Sequence, residues 1–449
     1  MLKIVIFFLK KNKNYSSLIE NILVAVIEAL SFLFIARSYS KEIFADWILY
    51  SSVVFLMEQV QSGFIWTALI KFLSETTSKR RIKIYIGSGW VIGLGLNIII
   101  FFICYIFLIF FPDTGISIKF NIFFRLYPFY FLFTLPLKIA IAKFRAYHQY
   151  IKIILLRALS YFLFIMFVFA NYIFFHYSVK ILIIIHIISF SFAGIISIFN
   201  KESGIHNILR ARFIYIKKVI NYGKYSLGTA LGSNLLKNTD IFLIKLLMTN
   251  TQLSLYSIPL RIIEVFNIPL TSICNVIFPI MSNADKKNEK KRVLDIFYKY
   301  TSIMTVYFIP VLIIMSLFAG FLISLVGGPQ YKETICSYIL YIFLISIIIL
   351  PFDRFSGTLL DSINKPMYTF LKVFIMVIIN IVGDAIALIF FKSMLLVAVV
   401  TILNMLAGNI FVFFYLKKTY NMNFIHLIKN TRHSLTDHLR SIFCFNNAK

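Results

Sequence analysis

Apolar residues run along this chain in long unbroken stretches, without the alternation of a half-buried strand. VIGLGLNIIIFFICYIFLIFF is one of them. Runs of about 20 apolar residues, each sufficient as a helix to cross a hydrocarbon core of roughly 30 Å, recur from end to end. Basic residues, Pro, Gly and Asn punctuate them. Hydropathy and these breakers predict twelve spans, at 15–36, 43–69, 84–111, 121–143, 153–175, 179–199, 222–248, 254–281, 297–326, 334–361, 366–391 and 393–416. Barrel strands would alternate over about ten residues, so the expected fold is all-α and membrane-embedded, with about twelve transmembrane helices.

Composition agrees. A chain with 60% hydrophobic residues, 14% charged residues and a mean hydropathy of +0.87 cannot present the charged surface of a water-soluble domain. The net charge of +27 would suggest a nucleic-acid partner only if it lay on one soluble face, and it is dispersed. It also sorts by side. Most Lys and Arg fall in the N-terminus, after even-numbered spans and in the tail, whereas the odd-numbered connections carry only Arg37, Lys41, Lys119, Lys180, Lys332 and Lys392. Both termini are therefore expected in the cytoplasm, and no nucleic acid is expected. The longest internal connection, KESGIHNILRARFIYIKKVINYGK, divides the spans equally. The predicted organisation is a six-helix lobe (1–200), a linker (201–221), a second six-helix lobe (222–416) and a basic tail (417–449). A weak internal echo supports two lobes: Pro136 matches Pro351 and Arg157 matches Lys372 at one common offset.

The chemistry must come from charges inside the spans. The four cysteines lack metal or redox spacing, the N-terminus lacks a cleavage signal, and GxxxxGK[ST], HExxH and GxSxG are missing from the sequence. No enzyme activity or cofactor is expected. A charge at a helix centre costs about 2.5 to 3.5 kcal/mol, against about 0.3 to 0.6 returned by each Leu, Ile, Phe or Val. In span seven, Ser226, Thr229, Ser233, Asn234, Lys237, Asn238, Asp240 and Lys245 share one half of the helical wheel. That stripe reads as the lining of an internal cavity. Lys237 and Asp240, like Arg261 and Glu264 in span eight, are spaced i,i+3, so each pair can neutralise itself or face a ligand. Lys245 and Arg125 have no acidic residue three or four positions away, and cations in a cavity suit an anionic cargo. Lys245 can instead snorkel from the end of its span. Among the in-span acids Glu20, Glu28, Glu58, Asp240, Glu264, Asp353, Asp361 and Asp384, the candidates for a coupling proton or Na⁺ are Glu28, Glu58, Glu264 and Asp353.

NTDIFLIKLLMTNTQLSLYSIPLRIIEVFNIPLTSICNVIFPIMS resembles spans seven and eight of bacterial Wzx-type polysaccharide flippases, members of the multidrug/oligosaccharidyl-lipid/polysaccharide (MOP) exporter superfamily. The likeness rests on Asp240, the Tyr256-Ser257 opening, Arg261 and the Phe278-Pro279 ending, with Leu255-Tyr256 standing where the family usually has Gly-Tyr. GTLLDSINKPMYTFLKVFIMVIINIVGDAIAL resembles the family's tenth-to-eleventh span region. The resemblance implies two six-helix lobes. Between them an undecaprenyl-diphosphate-linked oligosaccharide, an O-antigen or capsule repeat unit, would cross the bacterial inner membrane by alternating access. Membrane lipids, a polysaccharide polymerase and a chain-length regulator are the implied partners. Lys237, Lys245, Arg261 and Arg125 would then offset the diphosphate, with Asp240, Asn234 and Asn238 in the same cavity. The alternatives are a drug exporter of the same superfamily, or a polymerase or glycosyltransferase acting on the same lipid-linked glycan.

Overall fold

The computed structural model describes residues 13–110, 115–175 and 177–423, with side chains described for all of these except 13–22, 115–120, 225, 226, 228–237 and 279. Helix covers each of the twelve expected stretches. Among the described residues there is no strand, and ten helical segments are long and apolar enough to cross a bilayer.

The chain divides into two compact units, residues 1–234 and 235–449. The first holds α1 (Lys13–Ser38), α2 (Lys41–Gln61), α3 (Thr67–Ser74), α4 (Lys79–Phe110), α5 (Gly115–Ala146), α6 (Tyr150–Ala170) and α7 (Val179–Phe199). A π-helical turn, Ser62–Trp66, joins α2 to α3 without a break. Helix α5 is the one on which α4, α7 and α3 converge, and its Leu135, Ile139 and Ala140 are wholly buried. Helix α8 (Phe213–Leu247) begins in the first unit and ends in the second.

The second unit continues with α9 (Asn250–Glu264), α10 (Asn267–Lys286), α11 (Lys290–Leu317), α12 (Ala319–Gly327), α13 (Cys336–Ser362), α14 (Pro366–Ile389) and α15 (Met394–Tyr420). Helices α9, α10, α11 and α15 pack on α13, whose Phe343, Phe355, Leu359 and Leu360 are fully buried. The prolines paired in the sequence, Pro136 and Pro351, thus lie in the central helix of each unit. Span eight is one stretch by hydropathy but two helices in space. The break falls at Val265–Phe266, and Pro269 sits in the first turn of α10, where its missing N–H goes unused.

The surface is inverted relative to a soluble protein. Ile98, Phe102 and Phe110 of α4 and Ile313, Ile314 and Leu317 of α11 are all more than half exposed, while Ser88, Asn97, Thr134 and Ser160 are buried. Lipid replaces water as the partner of the apolar face. The connection after α7 is tied down. Trp90 Nε1 donates to Ser203 O (3.0 Å), Lys143 Nζ donates to Glu202 O (3.0 Å), and Gly204 turns the chain at φ +63° into a short 3₁₀ helix, Ile205–Arg210. That helix lies so close to α4 that a Cβ at Gly87 would stand 2.1 Å from Asn207 O.

Because the obstructing atom at Gly87 is backbone, Gly87→Ala should destabilise the chain by about 1–3 kcal/mol through overpacking. Gly95, on the same helix with nothing within 4 Å of an added Cβ, serves as the control. Gly95→Ala should be neutral or up to about 1 kcal/mol stabilising. Thermal melts in detergent, read by size-exclusion chromatography, compare the two; equal melting points would contradict the close contact.

Candidate functional site

Within the second unit, four helices bring polar side chains to one buried point. Asp240 projects from α8 and is 6% exposed. Its carboxylate accepts from the Tyr256 hydroxyl on α9, from Asn380 Nδ2 on α14 (2.9 Å) and from Thr401 Oγ1 on α15 (3.4 Å). The same Asn380 amide donates to Asp384 Oδ2 (2.6 Å), one helical turn further along α14. Tyr256, Asn380 and Asp384 are buried to within 1%. Gly383 makes the approach possible, since a Cβ there would meet Val400 of α15 at 2.7 Å.

Two carboxylates therefore share one amide nitrogen, and the partners described for them are neutral donors. Asp384 Oδ1 is buried without a hydrogen bond. Like charges this close repel unless positive charge sits between them. The surrounding donors are all oxygen or can present it: two carboxylates, a phenol, a hydroxyl and an amide. That set suits a hard cation or a proton, not a soft metal.

Two further acids are met by lysines on neighbouring helices. In the second unit, Lys372 Nζ on α14 lies 2.7 Å from Asp353 Oδ1 on α13, and it also donates to Asp353 O (2.6 Å) and Ser356 Oγ (3.1 Å). In the first unit, Glu58 on α2 accepts from Lys138 Nζ (2.5 Å) and from the Tyr130 hydroxyl (2.5 Å), both on α5. The Tyr130 ring stacks on His186 of α7 with centroids 5.3 Å apart, and Tyr50 Oη lies 3.2 Å from His186 Nδ1.

The residues singled out from the sequence distribute as follows. Arg261 and Glu264 pair with each other at 2.5 Å, with both side chains more than 40% exposed. Lys245 is 2% exposed and donates to Asn250 Oδ1 (2.9 Å), closing the turn between α8 and α9. Asn238 is buried near Asp240 in sequence, and Arg125 is exposed on α5. Glu28 is exposed and accepts from the Tyr161 hydroxyl (2.8 Å). Asn234 and Lys237 lie on α8, with side chains outside the described residues. Lys138, Lys372, Asn380, Tyr256 and Thr401 were not singled out as site residues from the sequence. Asn380 carried a local signal in its i,i+4 spacing from Asp384, and Lys138 and Lys372 one in being charges within apolar spans.

An all-helical membrane protein of two compact units, with carboxylates gathered inside the helices of one of them, has the architecture of a polytopic transporter. The chain belongs to the polysaccharide biosynthesis protein family, whose model matches residues 48–336. It is 22% identical over 185 residues to the probable low-salt glycan biosynthesis flippase Agl15 of Haloferax volcanii, an alignment covering 41% of this chain and 39% of that protein. The chain thus matches about two-fifths of the length of that relative. Among solved structures, it is similar to the lipid II flippase MurJ in an inward closed conformation, with TM-score 0.69, 17% identity, and coverage of 93% of this chain and 90% of that one. An inward-facing multidrug resistance MATE family transporter of the MOP superfamily gives TM-score 0.68 and 13% identity, covering 88% and 96%. The fold is that of MurJ and the MATE transporters.

The Asp353–Lys372 pair provides a test of the packing between α13 and α14. Lys372→Met alone should cost up to about 3 kcal/mol, because it leaves a part-buried carboxylate, its side chain 14% exposed, without its cation. Adding Asp353→Leu should recover most of that loss. Detergent stability of the single and double variants decides: a single variant as stable as the parent would refute the buried pair.

Proposed function

We propose that this protein is a flippase for a lipid-linked glycan, moving the glycan and its phosphate-bearing head group across the membrane by alternating access while the lipid tail stays in the bilayer. The observation that carries the proposal is the Asp240–Asn380–Asp384 cluster, set in the second unit of a chain that belongs to the polysaccharide biosynthesis family. The cargo is an undecaprenyl-diphosphate-linked oligosaccharide of the O-antigen or capsule type, and the membrane is the bacterial inner membrane. A polymerase and a chain-length regulator would take up the product.

In this reading Asp240 and Asp384 hold a monovalent cation or a proton, Asn380 orients the two carboxylates, and Tyr256 and Thr401 complete the oxygen set. The bound ion supplies positive charge where two negative groups meet. Lys237 and Asn234, about one and two turns before Asp240 on α8, are the residues this reading assigns to offset the anionic head group. Coupling is then reciprocal: whatever factor the ion adds to head-group affinity, the head group adds to ion affinity. The MATE likeness keeps drug export as the second reading, since its TM-score of 0.68 stands beside 0.69 for MurJ.

Asp240→Asn and Asp384→Asn should each reduce glycan display by about 5- to 150-fold, with chain levels in the membrane unchanged and lipid-linked glycan accumulating on the side of synthesis. Full display from both variants would refute the role of the cluster. Loss of cationic drug efflux with glycan display intact would favour the exporter.

A further inference from the structure

The connection between α7 and α8, together with the first turns of α8, combines two features that water does not favour together. From Phe199 to Lys224 it carries Lys201, Arg210, Arg212, Lys217, Lys218 and Lys224 against one acid, Glu202. It also presents large apolar side chains to the outside: Phe199 is 79% exposed, Leu209 96%, Phe213 76% and Ile214 66%.

A loose tether could hide such groups by collapsing. This segment cannot, because Ser203 is held by Trp90, the Glu202 carbonyl by Lys143, and Asn207 abuts Gly87. Leu209, Phe213 and Ile214 are thus held outward, interleaved with exposed Arg210 and Arg212 and followed by exposed Lys217 and Lys218. The segment follows directly on α7, one of the helices long and apolar enough to cross a bilayer, so a chain leaving the hydrocarbon there meets the head groups. Apolar side chains set among cations at that depth are the signature of an element lying in the plane of the membrane.

We infer that this connection is an anionic-lipid clamp. Leu209, Phe213 and Ile214 seat in the acyl boundary of the adjacent leaflet, and Arg210, Arg212, Lys217 and Lys218 hold the phosphates of anionic phospholipids. Charge complementarity selects the occupant: the guanidinium fork matches a phosphate bidentately, and clustered Lys and Arg beside membrane helices favour anionic over neutral head groups. Because the segment is fastened to α4, lipid bound here anchors the first unit as a body. The inference does not depend on what the protein transports.

Two measurements on the full chain test it. A nitroxide at Leu209→Cys, in a background with Cys104, Cys274, Cys336 and Cys444 replaced by Ser, is followed in phosphatidylcholine vesicles with about one quarter phosphatidylglycerol. It should be accessible to oxygen and shielded from a water-soluble nickel chelate. Separately, the Arg210→Gln/Arg212→Gln/Lys217→Gln/Lys218→Gln variant should retain phosphatidylglycerol at least about tenfold more weakly than the parent in native mass spectrometry, with phosphatidylcholine unchanged. A nickel-accessible probe, or equal phosphatidylglycerol retention, would overturn the proposal. So would shielding that appears only on crowding the protein, which would assign the face to a second copy.

Discussion

A charged side chain inside a bilayer must bring its own counter-charge or water, and the placement of the ion pairs in this structure follows from that. One unpaired charge costs about 2.5 to 3.5 kcal/mol, which cancels about four to twelve of the apolar residues that hold its helix in place. Scattered charges along a span are therefore unaffordable, and the chain gathers them. Glu58 meets Lys138 across α2 and α5, and Asp353 meets Lys372 across α13 and α14. Hydroxyls join in, from Tyr130 in the first unit and Ser356 in the second. The lipid-facing surface is left to Phe, Ile and Leu.

Against that rule, Asp240 and Asp384 stand apart. In the Glu58–Lys138 and Asp353–Lys372 pairs an acid faces a base. Here an acid faces an acid through a neutral amide, in a setting buried to within a few per cent. A purely structural contact between α8 and α14 would be better made by two apolar groups, since polar burial without full satisfaction is a net cost. Asp384 Oδ1 is unsatisfied. An arrangement that is costly without positive charge and favourable with it is what a coupling-ion site requires.

The helical membrane fold was legible because apolar runs state their own solvent. Local pairs were legible too: Arg261 and Glu264 are three residues apart on one helix, and they pair in space. The pairs that organise the units were not. Glu58 and Lys138 are 80 residues apart in sequence, and Lys372 lies 19 beyond Asp353. Hydropathy marks each as a charge that needs a partner but cannot name it, because the partner is chosen by helix packing. For the same reason Asp240 could be read as buried and consequential, while Tyr256, Asn380 and Thr401, ordinary residues in apolar helices, gave no sign of converging on it. The break in span eight was only hinted at by its prolines.

The cluster can influence more than its own surroundings because the turn beside it is stiff. Thr249 and Gln252 form a reciprocal capping box at the start of α9, with Gln252 N donating to Thr249 Oγ1 (3.3 Å) and Thr249 N to Gln252 Oε1 (3.0 Å). Lys245, buried on α8, closes the same turn through Asn250. Asp240 and Tyr256 lie one on each arm of this hairpin and are bonded to each other. A change of charge at Asp240 then cannot be absorbed by flexing the turn. In the proposed cycle it would act on α8 and α9 together, since Asp240 is bonded to α9, α14 and α15 at once, and α8 is the helix that carries Asn234 and Lys237.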